Sequence, residues 1–148
     1  MAGGPPVVLS LARDTSALLL SMLLALFVLR VFGQILAATI APQWLPAMTR
    51  WYSGLMPYRY LLPMQIAFVI VMAAIVRQVA TGAAPLGNGG AAAGTWIVWA
   101  SYVYALGMVY RAVRYALATP ERRGVLIPIV FHFVLAAFLF VWGSALLS

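Results

Sequence analysis

Five polar side chains interrupt the long apolar stretches of this sequence, and these are the residues whose types could do chemistry. They are Arg30, Gln34, Gln65, Arg111 and His132. A guanidinium offers five donors and keeps its charge, an amide both donates and accepts, and an imidazole can transfer protons or bind metals. Groups of this kind are costly in hydrocarbon, so their presence there indicates a partner or a function.

Arg30 is the residue in greatest need of a partner. An arginine at the centre of a membrane-spanning helix costs at least ~2.5–3.5 kcal/mol. The chain has two carboxylate side chains, Asp14 and Glu121. Asp14 lies about 24 Å away along the same predicted helix, and Glu121 falls in a loop. Gln34, one turn further on, offers a single carbonyl. The remaining donors need backbone carbonyls of a neighbouring helix, a lipid phosphate, a carboxylate of another protein, or an anionic or carbonyl-bearing ligand. Alternatively, the side chain snorkels to the headgroups.

His132 stands between two phenylalanines in an apolar stretch. It is either a hydrogen-bonded core residue or the axial ligand of a porphyrin or chlorin, and a quinone supported by the same polar side chains is a further alternative. A bis-histidine haem would need a second protein, because the chain has one histidine. We expect no metal site of the zinc or copper type, since no cluster of His, Cys and carboxylate residues is present.

Four apolar stretches must position these side chains. Residues 15–41, 61–80, 96–117 and 125–147 each reach the ~20 residues that a helix needs to cross a bilayer. The expected fold is an all-α integral membrane protein, a single domain over 1–148 with four transmembrane helices in an antiparallel up-down bundle. A cleaved signal peptide is the alternative for the first stretch, but that stretch is longer than usual and contains Arg30 and Gln34.

The five polar side chains are predicted to lie in one half of the bilayer. Counted from helix ends on one side, Gln34 lies about 10 Å in and Arg30 about 16 Å in. The same rise places Gln65 roughly 6 Å, Arg111 about 9 Å and His132 about 10–11 Å from their ends. All four helices therefore bring a polar group to one layer, which we treat as a candidate cofactor-binding site.

Composition excludes a soluble fold and indicates an acidic lipid partner. Hydrophobic residues make up 66% of the chain and charged residues 7%, with a net charge of +7. All nine basic residues are arginines, and most of them fall at helix ends and in short loops, where they suit anionic headgroups and not nucleic acid. A candidate lipid-binding cluster comprises Arg111, Arg114, Arg122 and Arg123; an ordinary positive-inside anchor would look the same.

The distribution of arginines predicts the orientation. The first and third loops with their adjoining helix ends hold Arg50, Arg59, Arg111, Arg114, Arg122 and Arg123. The other side holds Arg13 and Arg77. Because positive loops stay in the cytoplasm, both termini are predicted to lie outside it, in a bacterial inner membrane.

The first loop and the small residues add two expectations. Residues 47–56, within a loop rich in Trp and Tyr, could form a short interfacial segment, either as an aromatic belt or as a lid over a ligand entrance. Small residues allow close contact between helices. We expect such contacts at Gly33 with Ala37, at Gly107, and at Ala136 with Gly143.

No catalytic constellation accompanies these features, since a nucleophile with its base, paired carboxylates and a metal cluster are all missing from the sequence pattern. The preferred interpretation is a non-catalytic accessory subunit of a larger bacterial membrane complex, in contact with other membrane subunits. The alternatives are a stand-alone lipid-, quinone- or pigment-binding protein and, third, an oligomeric small transporter or channel.

Overall fold

The protein is all-helical over the residues that the computed structural model describes, which are 8, 11–47, 51, 57–83, 90–118 and 126–148. Helix α1 spans Arg13–Thr39, α2 Tyr58–Thr81, α3 Gly90–Leu117 and α4 Leu126–Leu147. Each of the four helices is long and apolar enough to cross a membrane. This confirms the predicted number and kind of elements.

The helix ends differ from the predicted ones where local backbone chemistry outweighs hydropathy. Helix α1 stops at Thr39, before the predicted Ala41, because Pro42 disfavours the helical conformation at the residue before it. Ala41 follows the Ile40 C-cap and has a positive φ of 45°, the left-handed conformation that is common just after a helix C-terminus. Helix α3 begins at Gly90 and not at Trp96, since the alanines at 91–93 extend the helix although they add little hydropathy.

The helices pack in the order α2, α1, α4, α3. Helix α3 packs mainly on α4, and α2 mainly on α1, while α1 and α4 contact each other in the middle. The core lies between α1, α2 and α4; it contains Leu20, Phe27, Val31, Met72, Ile75, Phe138 and Val141. Many large apolar side chains on the outer faces remain exposed, as expected of a surface that lipid covers and not of a soluble monomer.

Contacts near the helix ends record which ends lie together. The Arg13 guanidinium, at the start of α1, lies beside Gly82, just after α2. Ser16 and Ala145 line one recess, which brings the start of α1 to the end of α4. The start of α3 meets the end of α4, where a Cβ on Gly94 would come within 3.0 Å of Leu147.

Glycines make the closest helix contact between α3 and α4. A Cβ on Gly143 would lie 2.8 Å from Val98 Cγ2, and a Cβ on Gly94 would lie 2.9 Å from the Gly143 carbonyl oxygen. The prediction for Gly143 therefore holds, whereas the prediction for Gly107 is wrong, because a Cβ there would meet nothing within 4 Å. Gly107 is exposed on the outward side of α3. The sequence marks it as a small residue but does not show which side of the helix faces another helix.

Several sequence-based expectations fall outside the described residues. They are the lipid-binding assignments of Arg122 and Arg123, the loop position of Glu121, and most of the interfacial segment at 47–56. Trp51 is the part of that segment that bears on the site described next.

Candidate ligand-binding cavity

A small cavity of about 100 Å³ lies where α1, α2 and α4 meet, and it collects most of the predicted polar layer. Arg30 from α1, Gln65 from α2 and His132 from α4 all line it, while Phe27 and Phe131 supply apolar wall. Three residues that lie far apart in the sequence thus face one space. Packing of α1 against both α2 and α4 produces this arrangement.

Arg30 is buried in this wall without a full set of partners. The side chain is 8% exposed, and its Nε has no hydrogen-bond partner among the described residues. The guanidinium carbon lies 5.4 Å from the Phe131 ring centroid and 6.0 Å from that of Phe27. Asp14, the only carboxylate side chain in the described part of the chain, lies in the first turn of α1. Among the described residues, the positive charge of Arg30 therefore contacts two aromatic rings and no carboxylate.

Two glutamines join α1 to α2 beside Arg30. Gln65 Nε2 donates a hydrogen bond of 2.9 Å to Gln34 Oε1. Both side chains are buried, at 3% and 0% exposure respectively. Gln34 Nε2 and Gln65 Oε1 are buried without a partner among the described residues. The pair therefore retains one unused donor and one unused acceptor, and Gln65 is itself a wall residue of the cavity.

His132 is fixed by a tyrosine that the sequence did not single out. The Tyr104 hydroxyl and His132 Nδ1 form a hydrogen bond of 2.5 Å, and the two rings meet edge to face with centroids 5.8 Å apart. This bond occupies one ring nitrogen and orients the imidazole, whose side chain reaches the cavity wall. Tyr104 precedes Arg111 by seven residues, or about two helical turns. That spacing puts Tyr104 on the same face of α3 as Arg111, and it is the sequence feature that could have identified Tyr104 as a member of the polar layer.

Trp51 closes part of the cavity from outside the four helices. Its side chain is buried, lines the cavity, and donates from Nε1 to the Pro46 carbonyl oxygen at 2.9 Å. The indole ring packs on Gly33, where an added Cβ would lie 2.7 Å from Cη2. Trp51 therefore packs back on α1 and covers it next to Arg30.

The remaining predicted site residues lie elsewhere. Arg111 is half-buried on α3 and is not among the residues lining the cavity, although it is near enough to interact electrostatically with Tyr104 and His132. Arg114 is exposed, and its Nη1 donates to the Tyr110 hydroxyl at 3.2 Å. The polar layer is thus divided between a cavity group, Arg30 with Gln34, Gln65 and His132, and a separate arginine on α3.

Over the described residues, the fold and site together define an all-helical protein with four candidate membrane spans and a cavity lined by a buried arginine. Comparison of the chain with known protein families, curated proteins and solved structures finds no match.

Proposed function

We propose that this protein is a non-catalytic membrane protein that binds the anionic head group of an amphiphilic ligand in the cavity at Arg30. The observation that carries the proposal is the guanidinium itself, which is 8% exposed, lines a cavity and leaves Nε unpaired within the described residues. A buried charge needs an opposite charge and hydrogen bonds to offset its desolvation.

The magnitudes favour an anion over the partners already present. Burying the arginine costs at least ~2.5–3.5 kcal/mol, and its two cation–π contacts, with Phe131 and Phe27, return about 0.5–2 kcal/mol each. Each buried donor left unpaired costs a further ~1–3 kcal/mol. Water in the cavity would satisfy donors but would leave the charge uncompensated. An anionic oxygen does both, because charge-assisted hydrogen bonds to arginine are the strong ones.

The size of the cavity limits what enters it. Sites for whole small molecules occupy ~300–1,000 Å³, and this one has about 100 Å³. A cavity of this volume can hold a carboxylate, a phosphate or a single quinone ring, but it is too small for a porphyrin or chlorin macrocycle. Of these, the carboxylate and phosphate supply the charge that Arg30 requires, so they are favoured over the neutral quinone.

The accessory-subunit interpretation is the second candidate, and the same unpaired guanidinium motivates it. A carboxylate from another membrane subunit would neutralise Arg30 equally well. The cavity has about 100 Å³ and is only partly open between α1, α2, α4 and Trp51, which suits a small head group better than a side chain carried by a second helix.

The proposed setting is a bacterial inner membrane, with the helices in an antiparallel up-down bundle and both termini outside the cytoplasm. The contacts of Arg13 with Gly82 and of Gly94 with Leu147, and the recess that Ser16 and Ala145 both line, support the antiparallel part of this arrangement. The acidic-lipid role of Arg111, Arg114, Arg122 and Arg123 belongs to the same proposal.

Retention of an anionic amphiphile after purification tests the proposed function. The wild-type chain, Arg30→Gln and Arg77→Gln are purified in a neutral mild detergent and analysed by native mass spectrometry with lipid extraction. Arg77→Gln is the matched control, since Arg77 is an exposed arginine on α2 that does not line the cavity. We expect an anionic amphiphile on the wild type and the control, reduced about tenfold or more in Arg30→Gln.

Each outcome of that experiment assigns the partner of Arg30. A co-purifying protein lost in Arg30→Gln but retained in Arg77→Gln would replace the proposal with the accessory-subunit candidate. Equal lipid content in all three proteins, with no co-purifying chain, would mean that water alone fills the cavity and would overturn both candidates.

A further inference from the structure

A second and larger cavity adjoins the first one on its apolar side. It has a volume of about 470 Å³ and forms a groove between α2 and α3 with α4 as its floor. Its lining is almost entirely apolar, in contrast to the Arg30 cavity. Helices α2 and α3 each pack mainly on another helix, and this arrangement leaves the groove open between them.

The groove and the Arg30 cavity share walls. Phe68 on α2 and Leu135 on α4 line both spaces. Tyr104 also lines the groove while its hydroxyl bonds to His132, which lines the Arg30 cavity. The polar cavity therefore lies directly beside the apolar groove, with Phe68, Leu135 and Tyr104 between the two spaces.

From this adjacency and the buried charge at Arg30 we infer that the two spaces form one site for a single-chain amphiphile whose anionic oxygen head lies at Arg30 and whose hydrocarbon chain lies in the groove. This inference rests on the proposed function and specifies the class of ligand. Within the described part of the chain, one apolar groove shares walls with the polar cavity, so the inferred occupant has one hydrocarbon chain. The volume of the groove falls in the ~300–1,000 Å³ range of sites that hold a small-molecule ligand.

The polar atoms at the junction define the head. Arg30 Nε lacks an acceptor and Gln65 Oε1 lacks a donor, since neither atom has a hydrogen-bond partner among the described residues. A carboxylate provides the acceptor. An alkyl phosphate monoanion provides the acceptor and, from its hydroxyl, the donor as well. Both are anionic oxygen heads on a hydrocarbon chain, and the experiment compares them.

At the far end, the groove reaches Trp142, about 10 Å of helix rise beyond Leu135. Its Nε1 is buried and has no acceptor among the described residues. A hydrocarbon chain extending from the head would cover this end of the groove. Its contacts would be apolar and would match the lining except at Trp142 Nε1, which a hydrocarbon chain leaves without an acceptor.

Photo-cross-linking with a chain-labelled probe tests the inference. Long-chain alkyl carboxylate and alkyl phosphate probes, each with a diazirine at mid-chain, are added to the full-length protein in neutral lipid nanodiscs. Peptide mapping then locates the cross-links, and an excess of unlabelled oleate defines the saturable fraction. We expect saturable cross-links on groove residues of α2, α3 and α4, reduced about tenfold in Arg30→Gln.

Two matched substitutions on α3 separate the groove from the general lipid surface. Ala100 lines the groove, whereas Ala105 lines a different recess on the other side of the α3–α4 contact. The phenylalanine ring of Ala100→Phe would take up space in the groove that the hydrocarbon chain needs. Since overpacking a filled space is costly, saturable cross-linking is expected to fall about tenfold. Ala105→Phe introduces the same side chain and should leave cross-linking unchanged.

The outcomes distinguish this inference from the proposed function. Saturable, Arg30-dependent cross-links that map outside the groove and ignore Ala100→Phe would overturn the single-chain site while retaining head-group binding at Arg30. Cross-links that are neither saturable nor Arg30-dependent would overturn both. A preference for the phosphate over the carboxylate probe would show that the phosphate hydroxyl donates to Gln65. Equal binding of the two probes would show that the negative charge of the head alone determines binding.

Discussion

Gln65 on α2 donates a 2.9 Å hydrogen bond to Gln34 on α1, and this bond ties the two helices together one turn from Arg30. The pair matters for the site because Gln65 also lines the Arg30 cavity. It fixes the wall that α2 contributes, since α2 has α1 as its main packing partner.

A double-mutant cycle on this pair should show positive coupling. Gln34→Leu or Gln65→Leu leaves the remaining buried amide unpaired, so each single change is expected to destabilise the protein by ~1–3 kcal/mol. The double change removes both amides and should cost less than the sum, with a coupling of about 0.6–1.7 kcal/mol. Reversible unfolding in mixed micelles measures all four proteins. Strict additivity would show that the hydrogen bond does not join the helices.

Alanine at two glycines should have opposite effects on stability. Gly143→Ala places a methyl group 2.8 Å from Val98 Cγ2 and 3.0 Å from the Val98 nitrogen, and overpacking of this kind costs ~1–3 kcal/mol. Gly107→Ala meets nothing within 4 Å and should stabilise α3 by roughly 0.5–1 kcal/mol through reduced backbone entropy. Thermal unfolding in detergent compares the two. A stabilising Gly143→Ala would contradict the close contact between α3 and α4.

If Trp51 packs on Gly33, removal of the indole ring should relieve the loss of stability caused by Gly33→Ala. Gly33→Ala puts a methyl group 2.7 Å from the indole Cη2 and is expected to destabilise the protein by about 1–3 kcal/mol. In a Trp51→Ala background the ring is gone, so the same change should be neutral or stabilising. The test is the difference in unfolding temperature between the two backgrounds. If Gly33→Ala has the same effect in both, Trp51 does not cover α1 at this point.

Single-cysteine labelling should report the orientation, because the chain contains no cysteine of its own. With both termini outside the cytoplasm, Ala83→Cys and Ser148→Cys should react with a membrane-impermeant maleimide in intact bacterial cells. Ala47→Cys and Ala118→Cys, at the opposite helix ends, should react after permeabilisation alone. The reverse pattern would invert the proposed topology, and labelling of all four in intact cells would refute four crossings.

The helices and the unusual status of Arg30 were accessible from the sequence for simple reasons. Apolar stretches of spanning length predict helices because the bilayer sets a length and leaves no other partner for the backbone. An arginine within such a stretch stands out because its charge cannot be removed. Boundaries were less accurate at Ala41 and Trp96, where a proline and a run of alanines changed the helix end without changing hydropathy much.

Which polar residues share a site could not be deduced in the same way. Depth along a helix axis put Arg111 in the same layer as Arg30, but depth says nothing about the direction in which a side chain points around the helix. Tyr104 and Trp51 were missed as site residues for a related reason: both are apolar enough to pass as ordinary packing or belt residues. Gly107 failed as a contact because a glycine allows close approach without requiring a neighbour.

The sequence by itself determined four spans, their charge asymmetry and one deeply placed arginine with no carboxylate nearby, because each of these depends on local composition and on distance along one helix. The tertiary structure decided that Arg30, Gln65 and His132 face a common cavity, that Gln34 binds Gln65, and that an apolar groove adjoins that cavity. These relations depend on the rotation and pairing of helices, which follow from side-chain packing between segments far apart in the chain.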